Sequence, residues 1–226
     1  MALDIARIKA VLFDIDGTLS DSDDQMMQRA QKILYPLRFM ATEKQRFKFA
    51  RWLVMTVESP GNFIYNLADR ADLDSLFIKI LEWRNQNRSH PIKKYWLVPG
   101  VEGMLKVLSG KLLLGVVSAR DERSSRAFID QHNLSKTFKV VVTSQTVRHT
   151  KPFPDPMIYA AEALRVAPEN CLMVGDTTVD MRSAKLAGMQ AAGVLCGFGR
   201  QKELLRAGAD VLLDTTADLV DVLGIR

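Results

Sequence analysis

Apolar and polar residues alternate along this chain in blocks that are typical of an α/β protein. A short apolar run from Ala10 to Phe13 has the character of a strand buried on both faces. After residue 110, apolar runs alternate with segments of helical periodicity, and the connections are short. This alternation predicts a parallel sheet covered by helices on both faces. We predict strands at 112–117, 139–143, 171–175, 191–195 and 211–213, and helices at 102–108, 121–132, 155–166, 179–187, 201–207 and 216–223.

The segment between the first strand and residue 98 has a different pattern. Its apolar residues recur at helical spacing, first as Met26, Ala30, Ile33, Leu34 and Leu37 and then in three further groups. A Ser-Pro-Gly-Asn stretch at 59–62 separates the second group from the third. We therefore predict an all-helical domain at 20–98, inserted into an α/β core formed by 1–19 and 99–226.

Composition and charge narrow the classes of function. The 226 residues are 47% hydrophobic and 25% charged with a net charge of +5, which is an ordinary balance for a soluble globular protein. The absence of a basic run or an aromatic-interleaved basic face argues against a nucleic-acid partner. No segment has the length and apolarity of a membrane span, and residues 1–9 lack the apolar core of a secretory signal. We expect a cytoplasmic protein, with Cys171 and Cys196 as buried reduced thiols.

The first strand ends in two carboxylates, Asp14 and Asp16, followed by Gly17 and Thr18. Side chains two residues apart on a strand point to the same side, so the two acids should lie together at its carboxyl end. A strand that ends in an ordinary Asx turn is the alternative interpretation. Burial of an unpaired carboxylate is costly, so a positive group is expected beside the pair.

Three later strand ends carry polar residues of the same kind. Ser118 lies where a strand stops and a helix begins, a junction that favours phosphate, although a helix cap is the alternative. Lys151 precedes a proline-rich turn that restricts its backbone, and an exposed lysine is the alternative there. Asp176 and Asp180 are four residues apart, on one side of a first helical turn. Together with the first pair they predict an oxygen-lined site suited to Mg²⁺.

In order and spacing, Asp14-x-Asp16-x-Thr18, Ser118, Lys151 and Gly175-Asp176-x-x-x-Asp180 resemble the four motifs of the haloacid dehalogenase superfamily. The resemblance covers nearly the whole chain and is strongest to the phosphoglycolate phosphatase and β-phosphoglucomutase branch. It implies a Rossmann-like core in which the helical insert forms a cap domain of the first type. Asp16 argues against a true dehalogenase, because dehalogenases lack the second acid of the first motif.

The resemblance also implies a role for each motif residue. Asp14 would be the nucleophile that forms an aspartyl-phosphate, and Asp16 would be the acid and base. Mg²⁺ would be held by Asp14, the backbone carbonyl of Asp16, Asp176 and Asp180. The phosphoryl oxygens would be held by Thr18, Ser118, Lys151 and the backbone at Ala119. Many relatives carry a small polar side chain after the second-motif hydroxyl, where this chain has Ala119 and Arg120.

The function implied is a Mg²⁺-dependent phosphatase acting on a small phosphorylated metabolite, as a monomer or weak homodimer. A β-phosphoglucomutase-like phosphomutase is the nearest alternative, since the core motifs serve it equally. Pyrophosphatase, nucleotidase and phosphonatase activities also stay open. A non-catalytic binding domain on the same scaffold is the alternative from another class, although this chain retains every charged motif residue.

Overall fold

A computed structural model describes residues 3–21 and 95–225 of the chain. Within them, the α/β alternation predicted from the sequence is confirmed. Six parallel strands form one sheet in the order β3-β2-β1-β4-β5-β6. The strands are β1 (Ala10–Phe13), β2 (Leu113–Val117), β3 (Val140–Val142), β4 (Cys171–Gly175), β5 (Gln190–Val194) and β6 (Val211–Leu213). The helices are α1 (Val101–Ser109), α2 (Glu122–Gln131), α3 (Asp155–Leu164), α4 (Thr178–Leu186), α5 (Gln201–Ala207) and α6 (Leu219–Val222).

Strand β1 lies at the centre of the sheet and is buried along its whole length. Its residues alternate between two cores. Val11 and Phe13 pack on the face covered by α1, α2 and α6, whereas Ala10 and Leu12 pack on the face covered by α3, α4 and α5. This two-sided burial explains why β1 reads as a continuous apolar run rather than an alternating one.

Strand β1 comes first in the sequence but lies inside the sheet, with β2 and β3 on one side and β4, β5 and β6 on the other. From β1 the chain pairs first with β2 on one side, and β4 later takes the other side. Phe13 is in register with Val116 of β2 and Val174 of β4. The residues that follow these three strands therefore emerge side by side at one edge. In open α/β sheets, that edge is where ligands bind.

The predicted domain at 20–98 lies almost entirely outside the described residues. The two described segments that flank it run antiparallel to each other. The backbone N–H of Asp21 donates to the carbonyl of Trp96 over 2.8 Å, and the N–H of Val98 donates to the carbonyl of Leu19 over 3.0 Å. The described segments on either side of residues 22–94 therefore meet at one place.

Two details of the sequence predictions change. The last predicted helix, at 216–223, begins as a 3₁₀ turn over Thr216–Asp218 before α6. Cys171 is buried, which raises the pKa of its thiol to about 11, whereas Cys196 is only half-buried. In the described part of the chain, no helix has the length and apolarity needed to cross a membrane.

Candidate active site

The predicted site residues come from four separate segments that meet at the carboxyl edge of the sheet. Asp14 follows β1, Ser118 follows β2 and Asp176 follows β4. Lys151 comes from the connection between β3 and α3, and Asp180 lies in the first turn of α4. Residues as far apart in sequence as Asp14 and Lys151 are in direct contact, 137 positions from each other.

Lys151 lies at the centre of this group. Its Nζ donates to Oδ1 of Asp14 over 2.8 Å, to Oδ1 of Asp180 over 2.6 Å and to the carbonyl of Val117 over 3.0 Å. Burial alone would lower the pKa of the ammonium, but the two carboxylates outweigh it and the pKa of Lys151 is raised. Lys151 therefore keeps its positive charge at neutral pH, with all three of its N–H donors satisfied.

The surroundings favour the charged form of Lys151 but disfavour the charged form of Asp14. Burial raises the pKa of its carboxyl group to about 7 from an ordinary value of 3.8. Lys151 counteracts this rise, while the nearby charges of Asp180 and Asp16 add to it. The Asp14 carboxylate is thus destabilised by its surroundings, and a further positive charge beside it would stabilise its ionised form.

Asp14, Asp176 and Asp180 form a cluster in which one carboxylate oxygen of each lies within 4.8 Å of the others. All three side chains are buried. Carboxylate oxygens are hard donors of the kind that Mg²⁺ prefers, and a divalent ion would provide the positive charge that Asp14 lacks. The donor set therefore fits a Mg²⁺ ion.

A glycine-rich loop after β5 holds Asp176 in this cluster. The backbone N–H of Phe198 donates to Oδ2 of Asp176 over 2.8 Å. A Cβ atom added at Gly197 would lie 2.3 Å from that oxygen, and one added at Gly199 would lie 1.9 Å from the Asp176 carbonyl oxygen. The sequence analysis missed this loop, although its Gly-Phe-Gly pattern directly after a core strand is a signal for close backbone approach.

Asp180 is fixed by the start of its own helix. Thr177 and Asp180 form a capping box, in which the Thr177 N–H donates to Oδ2 of Asp180 over 3.0 Å. One oxygen of Asp180 thus closes the helix end, while the other accepts from Lys151. Local helix capping explains why the acid lies four residues after Asp176.

Thr18 and Ser118 are buried at the site and, like Asp176 and Asp180, are not among the residues that line its cavity. The Thr18 hydroxyl is directed toward Oδ1 of Asp176 at 3.5 Å, and the Thr18 carbonyl accepts from the hydroxyl of Thr216 over 2.6 Å. The Ser118 hydroxyl accepts from the backbone N–H of Arg120 over 3.2 Å. Both residues thus contact neighbouring groups of the protein, and their predicted role on the phosphoryl oxygens stays a prediction.

The cavity has a volume of about 140 Å³ and is lined by Asp14, Asp16, Ala119, Arg120, Lys151, Thr177 and Val179. Asp16 is ion-paired with Arg120 there: Nε of Arg120 donates to Oδ2 of Asp16 over 2.6 Å, and Nη2 donates to Oδ1. The sequence predicted one positive group beside Asp14 and Asp16, and the structure has two. Lys151 contacts Asp14, and Arg120 contacts Asp16. Two carboxylates, of Asp14 and Asp16, and two cations, of Lys151 and Arg120, thus line the same cavity.

Comparison with known proteins gives consistent matches. A family model described as haloacid dehalogenase-like hydrolase matches residues 11–194. The chain is 26% identical over 253 residues to a phosphoglycolate phosphatase of Escherichia coli, covering 96% of this chain and 93% of that protein. It is 26% identical over 222 residues to the pyrophosphatase PpaX of Anoxybacillus flavithermus, covering 97% and 98%. A solved hydrolase from Pseudomonas syringae shares the fold with a TM-score of 0.72 at 24% identity, covering 96% and 98%.

Proposed function

The chain belongs to the haloacid dehalogenase-like hydrolase family, and on that premise we propose that it is a Mg²⁺-dependent phosphatase of a small phosphorylated metabolite. The observation that carries the proposal is the buried cluster of Asp14, Asp176 and Asp180, in which Lys151 bridges Asp14 and Asp180. Asp16 lines the same cavity as Asp14 and Lys151. Two relatives over nearly the full length are named as phosphatases of small anionic substrates, phosphoglycolate and pyrophosphate.

In the proposed reaction, an oxygen of Asp14 attacks phosphorus and the bond from phosphorus to the ester oxygen breaks. The protonated form of Asp16 gives its proton to that leaving oxygen and becomes a carboxylate, so the alcohol departs neutral. In the second step, water attacks the aspartyl-phosphate, Asp16 accepts a proton from the water, and the bond to Asp14 breaks to release inorganic phosphate. The covalent step divides one difficult displacement into two.

Charge is the main obstacle to this reaction, because a carboxylate must approach a phosphate dianion. Each pair of unit charges at ~4 Å repels by about 4 kcal/mol at an effective dielectric constant near 20. Lys151 lies against Asp14 at 2.8 Å and reduces that repulsion. Bound Mg²⁺, held by Asp14, Asp176 and Asp180 with the carbonyl of Asp16, would supply further neutralisation of the phosphoryl oxygens.

We place substrate selection on the predicted cap domain at 20–98. The paired backbone at residues 19–21 and 96–98 supports this, because it brings both connections of the insert to the edge of the sheet beside Asp16. A variant in which a short Gly-Ser linker replaces residues 22–94 tests the assignment. We expect it to lose discrimination between phosphate esters, and unchanged discrimination would refute the placement.

The central experiment is a screen of the purified protein with Mg²⁺ against phosphate esters, including phosphoglycolate, hexose phosphates and pyrophosphate. We expect release of phosphate from at least one small metabolite, loss of turnover in Asp14→Asn, and full activity in the matched surface variant Asp130→Asn. A phosphomutase would instead interconvert sugar phosphates in the presence of a sugar bisphosphate, without net release. Failure to release phosphate from any ester, or near-normal rates in Asp14→Asn, would overturn the proposal.

A further inference from the structure

Arg120 makes a contact that the family motifs do not assign. Its guanidinium forms two parallel hydrogen bonds to the carboxylate of Asp16, one from Nε to Oδ2 at 2.6 Å and one from Nη2 to Oδ1. The side chains are 13% and 23% exposed, respectively, so the pair lies at the wall of the cavity rather than in open solvent. A two-bond contact of this kind fixes the plane of a carboxylate as well as its position.

The guanidinium of Arg120 also makes cation–π contacts with two aromatic rings. Its Cζ lies 4.8 Å from the ring centroid of Tyr95 and 5.8 Å from that of Phe128. Those rings pack against each other edge to face at 5.9 Å. Gln131 accepts from the Tyr95 N–H over 3.1 Å and donates to the Tyr95 carbonyl over 2.6 Å. Arg120 is therefore oriented by α2 and by the segment that rejoins the core, independently of Asp16.

We infer that Arg120 is a positioning residue that holds the carboxylate of Asp16 beside Asp14 for proton transfer. This inference rests on the proposed phosphatase function. Asp16 lies on the loop after β1 and is partly exposed, and its two-bond contact with Arg120 restricts the rotamers that its side chain can adopt. General acid catalysis requires the donor within hydrogen-bond reach of the leaving oxygen, and a misplacement of about 1 Å is costly in rate.

A direct role of Arg120 in holding the phosphoryl group is the competing explanation, since the residue lines the same cavity. The geometry favours the positioning role. Nε and Nη2 are directed at Asp16, and Nη1 is buried, with no hydrogen-bond partner among the described residues.

The two roles differ in their dependence on the leaving group. A poor leaving group, such as the alkoxide of an alkyl phosphate, needs the proton from Asp16, whereas p-nitrophenolate departs without it. We compare values of kcat/KM, because they report the first phosphoryl transfer and not the hydrolysis step that all substrates share. We expect Arg120→Met to lower kcat/KM for the alkyl ester by about tenfold or more and for p-nitrophenyl phosphate by less than about threefold. The inhibition constant of inorganic phosphate should stay within about twofold.

A double-substitution cycle tests whether Arg120 acts through Asp16. If it does, the variant carrying both Asp16→Asn and Arg120→Met should be no slower on the alkyl ester than Asp16→Asn alone. Arg120→Lys keeps the charge but loses the two-bond geometry, so it should fall between wild type and Arg120→Met on the alkyl ester only. Arg126→Met, at an exposed arginine of α2 whose side chain is 68% exposed, is the matched control and should equal wild type.

Equal losses on both esters, additive losses in the double variant, or a weaker inhibition by phosphate in Arg120→Met would each overturn the inference. If Arg120→Met does not fold, as judged by its circular dichroism and urea midpoint, Arg120→Lys and Tyr95→Leu give the same comparison of esters. A wild-type protein that releases phosphate from no ester refutes the proposed function, and the inference with it. An active wild type with equal losses refutes the inference alone.

Discussion

Substitution of Asp14 by Asn should make the metal-free protein more stable while it removes turnover. The cause is the burial of the Asp14 carboxyl, which raises its pKa to about 7 from 3.8. Between these two pH values the folded protein retains a proton on Asp14 that the unfolded chain has released. The stability associated with this proton is complete below about pH 4 and is lost as the pH rises through about 7.

The size of the effect follows from the separation of the two pKa values. Roughly three pH units at 1.36 kcal/mol per unit give up to about 4 kcal/mol of destabilisation above pH 7. Asn resembles the protonated acid in shape and charge, so Asp14→Asn should recover most of that free energy. The gain should be about 1 kcal/mol at pH 4.5 and about 3–4 kcal/mol at pH 8.

Urea unfolding followed by circular dichroism, in EDTA at the two pH values, measures these free energies. Asp130→Asn serves as the control and should track the wild type at both. Added Mg²⁺ should then stabilise the wild type more than Asp14→Asn, because the ion binds a ligand that the variant has lost. A variant less stable than wild type at pH 8, or a gain that does not grow with pH, would refute the reasoning.

Three further predictions concern the support of the site. Lys151→Met should lower the free energy of unfolding by about 3–5 kcal/mol in EDTA at neutral pH, because two buried carboxylates lose their shared cation; an unchanged urea midpoint would contradict this. Gly199→Ala should weaken Mg²⁺ binding by about 10- to 100-fold in a calorimetric titration, since the new Cβ would displace Asp176; unchanged affinity would argue against the glycine loop as its support. Thr216→Val should cost about 1–3 kcal/mol of stability by urea unfolding, because the buried carbonyl of Thr18 loses its donor, and a cost near zero would show that water replaces it.

Most of the sheet was predictable because its strands are buried on both faces. Strands β1, β4 and β6 were predicted with their observed bounds, and β2, β3 and β5 to within one residue at each end. Continuous apolar runs flanked by turn residues leave little ambiguity in such strands. The 3₁₀ turn at Thr216–Asp218 was not predictable, because apolar spacing does not separate a tight turn from the first turn of an α-helix.

The site residues that directly follow strands were predictable from the sequence. Contacts between residues of different strand ends were not, because they depend on which strands are neighbours in the sheet. Asp14 and Asp176 follow apolar runs and are recognisable one by one. The pairing of Arg120 with Asp16, by contrast, joins residues 104 positions apart, and it requires β2 to lie next to β1. The assigned roles of the motif residues, and of residues 20–98 as a cap, stay predictions.

The hydrogen bond from Thr216 to the carbonyl of Thr18 spans 198 positions of sequence. During synthesis on the ribosome, the turn that carries the first pair of acids emerges long before Thr216, which supports it. Strand β4, the second neighbour of β1, is also made late. A chain translated only as far as β2 therefore cannot assemble the reactive centre, and the full set of contacts around it closes only after Thr216 has been made.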